Sequence, residues 1–535
     1  MGKKGADPWH NAQANAERET MTERINRRSA LALLGGTVVG LPMLGRAANA
    51  DGEPRRVAPN IVFIMTDDQR QDAMSAYGNT ILRTPNMDRI GAEGIRFTES
   101  FVTNSLCAPS RASILTGLYS HAHGVITNGG GPLFYRQPGL RADQLTFPHL
   151  LRQAGYHTVL IGKWHLRSVP TGFDRWVIFP SQGIYQDPDM IAGVGDMPLA
   201  DGVRLRLRGH ADDVVGDQAV EFLRTRASDR PFCLLYQFKS PHRAWQPAAR
   251  FEDAFDDVDI PLPRTYEDRL DAEALRNAEM ALADMPDFRE RGVDPTLPVE
   301  TRKRLNLEHL VKNYYRVLLS VDENVGRLLD ALEEHGSAED TIVVYTSDNG
   351  FFLGEHGLFD KRLMYEPSIR VPLLIRYPRL GISGGVDDTH MVLNIDIAPT
   401  LLELAGMPVP GWMHGRSLVP LLQRRDLPWR EAFLYEFYEY PAEHCIRKHR
   451  GIRTARWKLL HFWEQPEEWE LFDLENDPDE ITNLAGQRAH ARTLAELKTR
   501  LADCRRAIGD VAAPGPAVQA LPCGNGVNTG YGPPR

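Results

Sequence analysis

The residues best suited to chemistry lie in one short segment, Cys107-Ala108-Pro109-Ser110-Arg111, followed closely by Ser113-Ile114-Leu115-Thr116-Gly117. Pro109 suits the first turn of a helix, where its missing N–H has no helical partner to lose. The N–H groups of such a turn point outward and favour an anion. Arg111 adds a planar fork that matches an oxyanion. The segment thus offers a thiol, or a nucleophile made from it, beside two kinds of anion holder. A free cysteine is also a common core residue, so the surroundings of Cys107 must decide between the two readings.

Four apolar runs end in charged or titratable residues. Residues 60–66 lead into Asp67 and Asp68, and 158–161 into Gly162, Lys163, Trp164 and His165. Residues 232–238 lead into Lys239, Ser240, Pro241 and His242, and 341–347 into Asp348 and Asn349. Each run is continuously apolar and partly β-branched, the pattern of a strand buried on both faces of a parallel sheet. Helical patterns separate them: 148–154 before Gly155, 313–335 with Val317, Val321, Val325, Leu328 and Leu332 on one face, and 395–405 stopped by Gly406. The alternation predicts an α/β fold, a large and mostly parallel sheet sandwiched by helices. Ligands of such sheets gather outside the carboxyl ends of the strands. That rule brings Asp67 and Asp68 beside Asp348 and Asn349 across about 280 residues of chain, with Lys163, His165 and His242 on the same rim.

Asp67, Asp68, Asp348 and Asn349 offer hard oxygen donors and no sulfur. Crowded carboxylates repel by about 4 kcal/mol per pair at ~4 Å and an effective dielectric near 20. A cation among them removes that cost, and an all-oxygen cage suits Ca²⁺ or Mg²⁺ better than Zn²⁺. Helix capping is the plainer reading of Asp67-Asp68 taken alone. His121-Ala122-His123 has the look of a metal pair but lacks a third ligand, and reads as a loop near the cleft.

C-x-P-S-R followed by Leu-Thr-Gly resembles the signature of the formylglycine-dependent sulfatases of the alkaline-phosphatase superfamily, and separate motifs carry the resemblance from about residue 59 to 485. The resemblance implies that a maturation enzyme oxidises Cys107 to formylglycine, whose hydrate attacks the sulfate. It also implies a metal site, usually Ca²⁺, built from Asp67, Asp68, Asp348, Asn349 and the modified Cys107. Arg111, Lys163 and Lys361 would hold sulfate oxygens, Asp348 would act as base, and His242 would be the acid for the leaving oxygen. His165 would take the proton of the second hydroxyl, so that C–O cleavage releases sulfate and restores the aldehyde. His356, in Gly354-Glu355-His356-Gly357, stays outside this set. Stretches around residues 104–107, 314–329 and 350–370 look closest to bacterial carbohydrate sulfatases of the N-acetylglucosamine-6-sulfatase type, which implies a sulfated carbohydrate substrate.

Length, charge and targeting bound the rest. A chain of 535 residues has a prior of roughly three domains. The sequence reads as a leader at 1–50, a catalytic domain at 51–425, a C-terminal α+β subdomain on an antiparallel sheet at 426–510 and a Pro/Gly-rich tail at 511–535. The net charge of −9 argues against a nucleic-acid partner. Arg27-Arg28, an apolar stretch and Ala48-Asn49-Ala50 predict export by the twin-arginine route. The apolar stretch is too short to leave a membrane span in the mature chain. Cys107, Cys233, Cys445, Cys504 and Cys523 form no C-x-x-C pair, and pairing of Cys504 with Cys523 stays open. Residues 440–453 are basic and lie between two expected strands, 432–438 and 454–461. They read either as a solvated loop or as a segment reaching over the cleft, with His444 and Arg447 contacting substrate. The sequence leaves oligomeric state open. Rival readings are a phosphomonoester or phosphonate hydrolase of the same superfamily and a non-catalytic exported carbohydrate-binding protein.

Overall fold

The computed structural model of the chain describes residues 58–510 apart from 130–138, 227–229, 269–278, 286–293, 295, 426, 441 and 465. The expected leader and tail lie outside the described residues. Ten strands form the main sheet. They are β1 (Asn60–Thr66), β2 (Ile95–Phe97), β3 (His157–Gly162), β4 (Arg175–Ile178), β5 (Asp189–Val194), β6 (Val203–Arg206), β7 (Phe232–Gln237), β8 (Thr341–Ser347), β9 (Leu373–Arg376) and β10 (Gly385–Asp387). Their spatial order is β10-β2-β9-β8-β1-β7-β3-β4-β5-β6. The four apolar runs are β8-β1-β7-β3, neighbours at the centre of the sheet, and all their pairings are parallel. Antiparallel pairing appears only away from that centre, where β9 joins β8 and β2, and where β5 joins β4 and β6.

The residues of β1 explain why these runs are continuously apolar. Val62 and Ile64 face one core with the helices Ala211–Thr225 and Val299–Glu334, whereas Ile61, Phe63 and Met65 face a second core with the helices Cys107–Thr116, Phe147–Gln153 and Ile397–Leu404. With both faces covered, alternation has no physical reason to exist. Val317, Val321, Val325, Leu328 and Leu332 are fully buried, as their spacing predicts. Among the described residues, no helix is long and apolar enough to cross a membrane.

The C-terminal unit is a four-stranded antiparallel sheet in the order β11 (Ala432–Phe437), β12 (His449–Thr454), β13 (Trp457–Phe462) and β14 (Glu468–Asp473). The helix Ala491–Ala507 covers it through Leu497 and Leu501. β12 corrects the loop reading of residues 440–453, because its second half is a buried inner strand. Its charges are absorbed locally. Arg453 pairs with Glu99 and Glu366, Arg450 lies over the Trp463 ring, and His449 stacks on Tyr435 and Phe437. Cys504 carries a free thiol and Cys445 is disulfide-bonded, whereas Cys523 lies outside the described residues.

Candidate active site

Two strand ends build an acidic cage. Asp348 N–H donates to Thr66 O at 3.2 Å, and Asp68 N–H donates to Asp348 Oδ1 at 3.0 Å, which ties the end of β1 to the end of β8. Asp68 has φ +74°, a left-handed backbone that Asp tolerates better than most residues. Tyr314 OH donates to its carbonyl at 2.5 Å. Carboxylate oxygens of Asp67, Asp68 and Asp348 lie within 4.8 Å of one another, and all three side chains are buried. Asn349 completes the set, donating from Nδ2 to Asp68 Oδ1 at 2.7 Å.

Each carboxylate of the cage has a cation. Arg111 Nε donates to Asp348 Oδ2 at 2.8 Å, Lys361 bonds Asp68, and the Lys163 ammonium lies against Asp67 Oδ2 without good hydrogen-bond geometry. Asp67 Oδ2, Asp68 Oδ2 and Asn349 Oδ1 have no hydrogen-bond partner. Buried oxygens without partners are costly. Three of them from two strand ends, all hard donors, fit a divalent cation such as Ca²⁺.

Cys107 opens the helix Cys107–Thr116 after an extended Leu106. Its Sγ lies 3.3 Å from Asp67 Oδ1, 3.8 Å from Asp68 Oδ1 and 3.2 Å from Lys361 Nζ. Burial pushes the thiol well up, with Asp348 and Asp68 adding to it against Lys361, so it is held protonated. Ala108 N–H, in the same turn, donates to Asn128 Oδ1 at 2.9 Å. Arg111 is spread over three elements, because its NH1 also donates to Lys163 O at 2.8 Å and to Gln237 Oε1 at 2.9 Å.

The histidines stand at the ends of β3 and β7. His165 is buried with φ +53°, and its Nδ1 lacks a partner. His242 Nδ1 lies 2.6 Å from Arg243 O, which assigns the proton to Nδ1 and leaves Nε2 facing Asp68 Oδ2 at 3.9 Å. A ring nitrogen of His242 also lies within 4.8 Å of a carboxylate oxygen of Asp67 and of Cys107 Sγ. Burial, then Lys163 and neighbouring cations, hold both imidazoles well below the ordinary histidine range.

Sequence reasoning passed over the group beside Lys361. Asp360 accepts from Arg362 NH1 at 2.6 Å, His444 Nε2 lies 2.9 Å from its other oxygen, and Arg243 approaches at 3.8 Å. Burial opposes the Asp360 charge, but Arg362 and His444 outweigh it and hold the carboxyl well below its usual range. The signal was the run Asp360-Lys361-Arg362, of which the motif singles out only the lysine. His444 is thereby linked to the residue next to Lys361. Arg447 is not brought there, because its guanidinium serves Glu468 at 3.1 Å and the carbonyls of Glu464 and Pro466. His356 pairs with Asp268 at 2.7 Å, apart from the cage.

Comparison with known proteins bears on this geometry. The family model described as "Sulfatase" matches residues 59–407, and that of "N-sulphoglucosamine sulphohydrolase, C-terminal" matches 354–507. The chain is 39% identical to an N-acetylglucosamine-6-O-sulfatase of Bacteroides thetaiotaomicron, over 87% of this chain and 89% of that protein. A solved structure described as a complex with its substrate D-glucosamine-2-N,6-O-disulfate superposes with a TM-score of 0.77 at 38% identity, covering 85% of this chain and 99% of that one. A phosphonate monoester hydrolase of Agrobacterium radiobacter shares the fold, with a TM-score of 0.67 at 24% identity over 84% of this chain and 96% of that one. The chain belongs to the sulfatase family and hydrolyses sulfate esters.

Proposed function

We propose that the enzyme removes sulfate from a sulfated carbohydrate of the 6-O-sulfated N-acetylglucosamine type, after export by the twin-arginine route and maturation of Cys107. The observation that carries the chemistry is the meeting of Cys107 Sγ, Lys361 Nζ and the acidic cage within hydrogen-bond range. The likeness to a relative described as an N-acetylglucosamine-6-O-sulfatase supports the sugar.

Hydrated formylglycine at position 107 supplies a hydroxyl nucleophile, and a divalent cation held by Asp67, Asp68, Asp348 and Asn349 supplies charge that attracts the ester. The chain's own residues do the remaining work. Arg111, Lys163 and Lys361 neutralise ester oxygens, so that attack on a monoanion is no longer repelled. A carboxylate of the cage receives the nucleophile's proton. Asp348 is the candidate from sequence, but both its oxygens already accept hydrogen bonds, and Asp67 Oδ1 is the oxygen nearest Sγ. Because His242 Nδ1–H is committed to Arg243 O, His242 can act as the acid only as the doubly protonated ring, with the transferred proton on Nε2. Burial and the nearby lysines oppose that charge in the free enzyme, and the arriving sulfate anion favours it. His165, with a free Nδ1, takes the second hydroxyl's proton when sulfate departs.

Two measurements test this reading. The peptide containing Cys107 should be lighter by about 18 Da in the matured protein, the difference between thiol and aldehyde. In a panel of defined sulfated sugars, 6-O-sulfated N-acetylglucosamine should have the highest kcat/KM. A clear preference for another position or sugar defeats the substrate assignment, and Cys107→Ala retaining turnover defeats the nucleophile.

A further inference from the structure

Lys239 stands just beyond β7, three residues before His242, and is only 4% exposed. The other buried lysines among the described residues each have a carboxylate: Lys163 has Asp67, Lys303 has Glu267, Lys361 has Asp68, and Lys458 has Glu366 and Glu480. Among the described residues the Lys239 ammonium has no ion pair or hydrogen-bond partner. The ammonium lies over the face of Tyr185, with Nζ 4.8 Å from the ring centroid. Taking an ammonium out of water without a counterion costs several kcal/mol, and a cation–π contact returns only part of that.

The position explains why the cost is tolerated. Phe238 N–H donates to Met65 O, and Ser240 O accepts from Asp67 N–H at 3.0 Å, so the backbone on either side of Lys239 is fastened to the cage turn. Tyr185 OH donates to His242 O at 2.5 Å, so one buried ring supports both Lys239 and His242. The ammonium is within electrostatic reach of Asp68, Asp212, Cys107 and Lys361, but among the described residues no carboxylate stands within ion-pair distance of it. Arg111, Lys163 and Lys361 are each held directly by a carboxylate of the cage, whereas Lys239 stands beside the cage without such a pair.

We propose that Lys239 is a further substrate-holding residue, whose ammonium takes an oxygen of the reacting sulfate alongside Lys163 and Lys361. This rests on the cage being the place of reaction, but not on which sugar carries the ester.

The test uses matured, calcium-loaded enzyme and two probes, inorganic sulfate by calorimetry and p-nitrophenyl sulfate by turnover. Lys239→Met should weaken sulfate binding about 10- to 100-fold, the range for losing a charged hydrogen bond, and lower kcat/KM for the aryl ester by a similar factor. Lys239→Arg, which keeps the charge, should recover part of both losses. Lys239→Gln is read in the same way if the methionine variant does not fold. Sulfate binding within twofold of wild type in the neutral variant, or an arginine variant as weak as the methionine one, overturns the proposal. Binding lost as expected while wild type ignores every sugar sulfate would leave Lys239 in place and defeat the carbohydrate reading instead.

Discussion

Lys361 touches Asp68 on one side and Cys107 Sγ on the other, wholly out of solvent. Burial works against its charge, but Asp68, then Cys107 and Asp360, outweigh it and push its pKa up. The pair is therefore worth more when broken than when counted. Asp68→Ala leaves a buried ammonium without its counterion and should cost about 3–5 kcal/mol of unfolding free energy. Removing both partners should cost less than the two single changes added together. Urea denaturation of both single variants and the double variant measures the coupling, and simple additivity would show that the two charges do not depend on each other. The same cage gives a prediction for the metal. A chelator should lower the melting temperature and abolish turnover, and Ca²⁺ should restore both by mass action. In Asp68→Ala the added ion should stabilise far less.

Gly162 closes β3 at φ +105°, and a Cβ there would stand 1.8 Å from Gln237 O. The close approach lets the next residue, Lys163, donate its N–H to that same oxygen at 2.9 Å. Gly162→Ala should therefore destabilise the protein by about 2–4 kcal/mol through strain and overlap and should also weaken sulfate binding, because Lys163 and His165 hang from this junction. An alanine variant with unchanged unfolding midpoint and sulfate affinity would contradict it. The four central strands were legible because burial on both faces writes them as unbroken apolar runs, and their ends were legible because a parallel sheet gathers them on one side. β12 was not legible. His449, Arg450 and Arg453 look like a surface loop until the aromatic rings and carboxylates that cover them are known. Lys239 was legible as a charge at the end of β7, but its burial without an ion pair was not, because that depends on what the fold packs around it. The long helix Val299–Glu334 starts well before residue 313, and its first turns were not legible because they bury few apolar side chains and Leu305 is exposed.

The C-terminal unit is tied by hydrogen bonds to the segments that carry Cys107 and Lys361. Glu439 accepts from Asn128 N–H at 2.5 Å, and Asn128 in turn accepts from Ala108 N–H. Tyr435 OH donates to Arg362 O at 2.5 Å, one residue from Lys361. A third tie is titratable. His121, in the short helix Ser120–His123, meets Glu436 of β11 through Nδ1 at 2.6 Å and Ile508 O through Nε2 at 3.1 Å. Both ring nitrogens face acceptors, an arrangement only the doubly protonated ring satisfies. Burial works against that charge, but the hydrogen bond and charge of Glu436 outweigh it and hold the pKa above the ordinary histidine value. A group that binds its proton more tightly when folded stabilises the fold below its unfolded pKa, about 6.5. Its contribution fades as pH rises through the raised folded value. Wild type should thus exceed His121→Gln by about 1–2 kcal/mol near pH ~6, the scale of a charged hydrogen bond, and the gap should close on the alkaline side. Glu436→Gln should flatten the same slope, since it removes the charge that raises the pKa. Urea unfolding of the three proteins across this pH range reads the difference directly, and a gap that stays constant or widens with pH would mean that His121 docks the C-terminal unit as a neutral ring.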